Sequence, residues 1–102
     1  MASRLELHEE FCEILGTRNV YFQPPESIAL EYPGIKYSIS GMDTKRANNK
    51  LYKNTIRYEV IVIDPDPDSR IPYDILGHFE MCNFDRWYTS DNLNHFVLTL
   101  YY

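Results

Sequence analysis

A chain of 102 residues is one domain by size, long enough to bury about two-thirds of its unfolded surface in one modest core. Its composition, 44% hydrophobic and 25% charged, excludes a disordered chain, and no window approaches the roughly 18 apolar residues of a membrane span. The net charge of −5 argues against a general nucleic-acid binder, and a start without a basic-then-apolar pattern predicts a protein made and used without secretion.

Ser3-Arg4-Leu5-Glu6 has the spacing of a capping box and opens a helix expected over residues 4–15, which Gly16 stops. At 100° per residue Leu5, Leu7, His8, Phe11, Cys12, Ile14 and Leu15 share one half of its wheel, and Glu6, Glu9, Glu10 and Glu13 share the other. Residues 19–22 read as a brief edge strand, because Pro24 and Pro25 cannot donate to a ladder and release the chain from the sheet. Tyr21 and Phe22 are expected to give the first helix an apolar neighbour.

Between residues 32 and 41 the alternation of Ile35, Tyr37 and Ile39 with Lys36, Ser38 and Ser40 is that of a half-buried strand. Residues 43–50 have no apolar rhythm and read as a polar loop, and residues 51–64 form the longest strand candidate, so the two strands flank a basic hairpin tip. Asp64-Pro-Asp-Pro-Asp-Ser69 ends that strand. Asp68 or Ser69 is then positioned to cap a second helix running to about Phe79, with Pro72 in its first turn and Ile71, Ile75, Leu76 and Phe79 inward. Residues 82–88 and 93–102 close the chain as two strands. The order α-β-β-β-α-β-β predicts an α+β fold in which a largely antiparallel sheet carries both helices.

Each chemical constellation has a plain structural counterpart. His8-x-x-x-Cys12 and His78-x-x-x-Cys82 have the spacing of a zinc site, and also of two packed free thiols and two hydrogen-bonded histidines. Asp64-x-Asp66-x-Asp68 opens like a calcium loop, yet Ser69 stands where that loop needs glycine and Ile75 where it needs glutamate. No nucleophile, metalloprotease or phosphate-loop motif occurs; His95 with Asp85 or Asp91 is the one conceivable base and partner, and the reading is not an enzyme, without cofactor or metal.

Half of the ten bases, Lys45, Arg46, Lys50, Lys53 and Arg57, fall in a thirteen-residue stretch without an acid. Such a hairpin suits phosphate contact, a solvated tip, or the acidic first helix of a second copy, a head-to-tail contact that closes into a ring where the rotation allows. Nine tyrosines and Trp87 suit both core and interface.

As a pattern, L-H-E-E-F-C-x-I-L-G, NVYFQPPES, YPGIKY, D-T-K-x-A-N-N-K-x-Y, R-Y-x-V-x-V-I-D-x-D-P-D-S, F-D-R-x-Y and DNLNHFVLTLYY cover nearly the whole chain. It resembles the tail terminator or tail-completion proteins of phages and prophages of Gram-positive bacteria. The resemblance implies a structural virion protein at the tail-neck junction, assembled in the host bacterial cytoplasm as a homo-oligomeric ring of six. That ring stops tail-tube polymerisation, meets the tail tube protein and offers a docking surface to the head connector, while DNA passes through its channel without sequence recognition. It implies Lys45, Arg46, Lys50 and Lys53 as contacts to the tube or channel. The alternatives are another neck component, a head-closure or connector-adaptor protein, or a small nucleic-acid-binding module using hairpin 43–57.

Overall fold

The structure, a computed structural model, describes residues 3–47 and 50–102, with the backbone alone described at residues 47 and 50–54. Helix α1 (Arg4–Leu15) and strands β1 (Val20–Phe22), β2 (Gly34–Ala47) and β3 (Lys50–Asp64) are followed by helix α2 (Ile71–His78) and strands β4 (Cys82–Ser90) and β5 (Leu93–Tyr101). The fold is α+β, with five strands in the order β1-β2-β3-β5-β4. Among the described residues only the β1–β2 pair is parallel.

Both helices lie on one sheet face. Leu7, Phe11 and Cys12 of α1 and Ile75 of α2 join Ile35, Tyr37, Tyr58, Val60, Val62, Phe96, Leu98 and Leu100 in one buried cluster. Within residues 35–37, 58–62 and 96–100 every second residue points into it, as the pleat requires. On the opposite face Ile61, Ile63 and Val97 form a smaller cluster with Leu30 and Leu93.

The helix termini follow from local chemistry. Ser3 Oγ accepts from Glu6 N at 3.1 Å, and Gly16 ends α1 at φ +83°, a left-handed value that favours glycine. At α2 the cap position is taken by Arg70, which makes no side-chain cap bond, rather than by Asp68 or Ser69. Ser69 Oγ accepts from Ile71 N at 3.4 Å, one residue outside the cap, while Asp64 and Asp66 accept from the amides two residues on, at 2.9 Å each. The helix ends at His78, and Phe79 turns extended to pack edge-on against Phe11.

Tyr21 and Phe22 do different work. Phe22 faces the core, 5.0 Å from the Tyr37 ring, and Arg4 lies over it; Tyr21 faces the other way, its hydroxyl accepting from Glu31 N. Past β1, Gln23 N donates to the Tyr37 carbonyl and Gln23 Oε1 accepts from Ile39 N, which prolongs the ladder by one side chain before Pro24 and Pro25.

The largest departure from the expected fold concerns residues 43–50. Residues 43–47 are strand, because β2 and β3 pair in register from Gly34↔Ile63 out to Ala47↔Lys50, and Asn48 and Asn49 lie outside the described residues. Neighbouring strands end much earlier, β1 at Tyr37 and β5 at Arg57. What remains is a two-stranded arm, which gives the molecule extents of 51 × 27 × 23 Å and a radius of gyration of 14.6 Å, where about 13 Å is usual for this length.

Phe11 is fully buried and touches both Tyr37 and Phe79. Phe11→Ala is expected to lower stability by about 3–5 kcal/mol, read as a shifted urea midpoint with unchanged slope; an unshifted midpoint would mean that α1 does not dock as described.

Candidate functional site: a basic arm and an aromatic edge

Two surfaces are left uncovered by the fold. The first is the arm. Ile39 opposes Tyr58 and Met42 opposes Ile56, so Ile39, Met42 and Ile56 continue the core face beyond the helices. Met42 is 55% exposed. Lys45 and Arg46 are exposed towards the end of β2, and Lys45 is the cross-strand partner of Lys53, whose side chain, like that of Lys50, lies outside the described residues.

The arm's root is built by a bulge between Ile39 and Gly41. There Arg57 Nη2 donates to the Ser40 carbonyl at 3.1 Å, its Nε to Ser40 Oγ at 3.3 Å, and Ser40 Oγ donates back to the Arg57 carbonyl at 3.2 Å. A Cβ on Gly41 would meet Arg57 Nη2 at 2.4 Å. Glycine is therefore what lets the guanidinium lie flat across the bulge.

The second surface is β4, the sheet edge opposite β1. Every residue of it but Cys82 is exposed. A bulge between Phe84 and Arg86 returns Trp87 to the helix side, where it stacks on Phe96 at 5.4 Å. Its Nε1 donates to Asn94 Oδ1 at 3.2 Å, and buried Asn94 Nδ2 donates to the Asp64 and Pro65 carbonyls, also at 3.2 Å. Phe84, Trp87 and Phe96 on the sheet and Tyr73 and Leu76 on α2 line a groove of ≈ 640 Å³, with Asp68 at its end. Trp87 and Tyr73 are 53% and 64% exposed, and Phe84 is exposed beside them.

The turn that starts β5 holds Asp91 at φ +54° and Asn92 at φ +62°, the left-handed pair that a tight hairpin turn demands.

The histidines and cysteines are held apart. His8 Nδ1 lies 2.7 Å from the Tyr37 hydroxyl, whose oxygen also accepts from Arg4. Burial, then the Arg4 charge, keep His8 below its usual pKa, which favours its neutral ring beside the tyrosine hydroxyl. His78 Nε2 sits 3.0 Å from Glu10, which also accepts from the Tyr102 hydroxyl. Burial opposes ionisation of Glu10, but those two hydrogen bonds outweigh it and hold its pKa low; burial and Glu10 push Tyr102 up to about 12. This carboxylate clamps the end of α2 and the end of β5 to α1.

Among the described residues no group of three or more His, Cys, Asp or Glu is arranged to hold a metal. His95 and its supposed partners are likewise separate: His95 stacks on Tyr88 and meets the Leu93 carbonyl, and Asp85 accepts from Thr99. Asp64 and Asp66 are engaged by backbone amides in the connector. Of the α1 acids, Glu9 is taken by Arg18, two bonds at 2.7 and 2.9 Å. No described helix is long and apolar enough to cross a membrane.

Neither a protein-family model nor a curated protein matches the chain.

Arg57→Ala is expected to speed amide exchange across residues 41–47 at least about tenfold while leaving the β3–β5 amides unchanged, as hydrogen-exchange mass spectrometry would detect. Cys12 is buried and Cys82 half-buried, and burial pushes the Cys82 thiol up to about 11 and raises Cys12. Both thiols should therefore label with iodoacetamide at pH 8 far more slowly in the native than in the urea-unfolded chain; rapid native labelling of both would contradict their packing.

Proposed function

We propose that this chain is a structural assembly protein whose copies join through unlike surfaces into a ring, and that the ring caps the head-proximal end of a phage tail tube. One observation carries the assembly reading: a two-stranded arm with exposed apolar and basic residues leaves one end of the sheet, and an exposed aromatic strand forms its edge opposite β1. An isolated two-stranded ribbon is marginal in water, and an open strand edge invites another chain. Surfaces that differ from one another associate head to tail, and such contacts close into a ring or run on as a filament.

The virion assignment rests on the sequence resemblance to tail terminators. It supplies the partners: tube protein on one ring face, the head connector on the other, and DNA in the channel. The mechanism is geometric, with no bond-making centre among the groups described above. Exposed Lys45 and Arg46 on the arm suit contact with the tube or with passing phosphates, where cations add affinity without reading sequence. The same two cations favour the second reading, a nucleic-acid-binding module.

Light scattering on the purified chain, alone and with tail-tube protein, tests the assembly reading, with a ring as the expected species. A monomer in both samples that shifts on duplex DNA would replace it with the nucleic-acid module. Replacing Lys45, Arg46 and Lys50 with Glu is expected to leave the circular-dichroism spectrum unchanged and to block tail joining in complemented phage; normal infectious particles would remove the arm from the account.

A further inference from the structure

We infer that the groove between α2 and β4 is the seat for the arm of a second copy of this chain. This rests on the ring reading above and names the pair of surfaces that would close it. The arm is basic, and the connector and first turn of α2 beside the groove are acidic in sum, with Asp68 and Arg70 both in the groove wall. Residues 43–57 hold five bases and one acid, and residues 64–74 hold four aspartates and one arginine. Asp66, Asp68 and Asp74 of that run are exposed, as are Lys45 and Arg46.

They are complementary in apolar surface as well. The arm carries Ile39 and Met42 outside the core, and the groove offers Phe84, Trp87 and Tyr73. They match in length too: residues 41–47 of β2 span about 24 Å and β4 about 30 Å at the usual strand rise. β2 beyond Gln23 and β4 are each bordered by one strand among the described residues, so the arm is able to add to β4 as a further strand.

The arm cannot reach the groove of its own chain. Cys82 pairs with Leu100 near the arm's root, and from there β4 runs away from the arm towards Ser90. The occupant is consequently another copy. The acidic α1, the surface expected from sequence to meet the arm, is a poorer seat because Glu9 and Glu10 already hold Arg18, His78 and Tyr102.

A charge swap tests this on the full chain by sedimentation velocity up to the solubility limit. K45E/R46E and D68K/D74K should each weaken self-association by about 100-fold or more, and the chain carrying all four changes should regain it. Phe84→Glu, at an exposed wall position, should also abolish association and should not be rescued by reversing the arm. Thermal melts confirm folding of each variant. A wild-type chain that stays monomeric overturns this inference, and the ring reading falls with it when the chain is monomeric beside tail-tube protein as well. Self-association indifferent to all these changes overturns the inference alone and leaves closure to another surface. An arm variant that loses duplex-DNA binding while self-association is intact makes nucleic acid the arm's partner, which also overturns it.

Discussion

The rings of Phe11, Phe22 and Tyr58 all meet the ring of Tyr37, at 5.1, 5.0 and 6.0 Å, and the Tyr37 hydroxyl lies against His8 and Arg4. These contacts join α1, β1, β2 and β3 at one point. Burying a tyrosine is favourable only when its hydroxyl keeps a partner, since an unsatisfied buried hydroxyl costs about 1–3 kcal/mol. A neutral His8 and the Arg4 guanidinium meet that requirement, which in turn sets the rotation of α1 on the sheet. With α1 so turned, Glu10 reaches His78 and Tyr102, and the end of α2 and the last strand are fixed to the same helix.

The sheet edges are managed unequally. At β1 the short strand, the Gln23 side chain and the two prolines leave little for another strand to pair with. At β4 eight of the nine residues are exposed, and the bulge after Phe84 turns Trp87 into the groove while the ladder to β5 continues. The second bulge, at Ser40, sets off the arm where the helices end. These two irregularities sit at the arm's root and beside the groove, and a third register shift lies within the arm between Lys45 and Arg46. The resulting shape suits a part that is completed by neighbours: each open feature has the chemistry that the other lacks.

That view accounts for the placement of charge. Two acids of α1 are tied down, Glu9 by Arg18 and Glu10 by His78 and Tyr102, whereas Asp66, Asp68 and Asp74 and the arm's Lys45 and Arg46 are exposed. On the proposed arm-to-groove contact, a net charge of −5 with a basic projection would favour one orientation of copies over random encounters.

Element order, helix faces and core alternation were legible from residues alone, because 3.6-fold and twofold apolar periods appear wherever one face is buried and the other wet. The capping serine, Gly16 and the paired prolines marked their boundaries for the same local reasons. The arm was not legible past Gly41: a ribbon wet on both faces needs no alternation, so its pairing leaves no mark in the sequence and residues 43–47 look like loop. The groove is also a product of tertiary structure alone. Tyr73 and Trp87 come from separate elements, and their meeting depends on the β4 bulge and on Asn94 tying Trp87 to the connector, contacts that form only after the sheet is assembled.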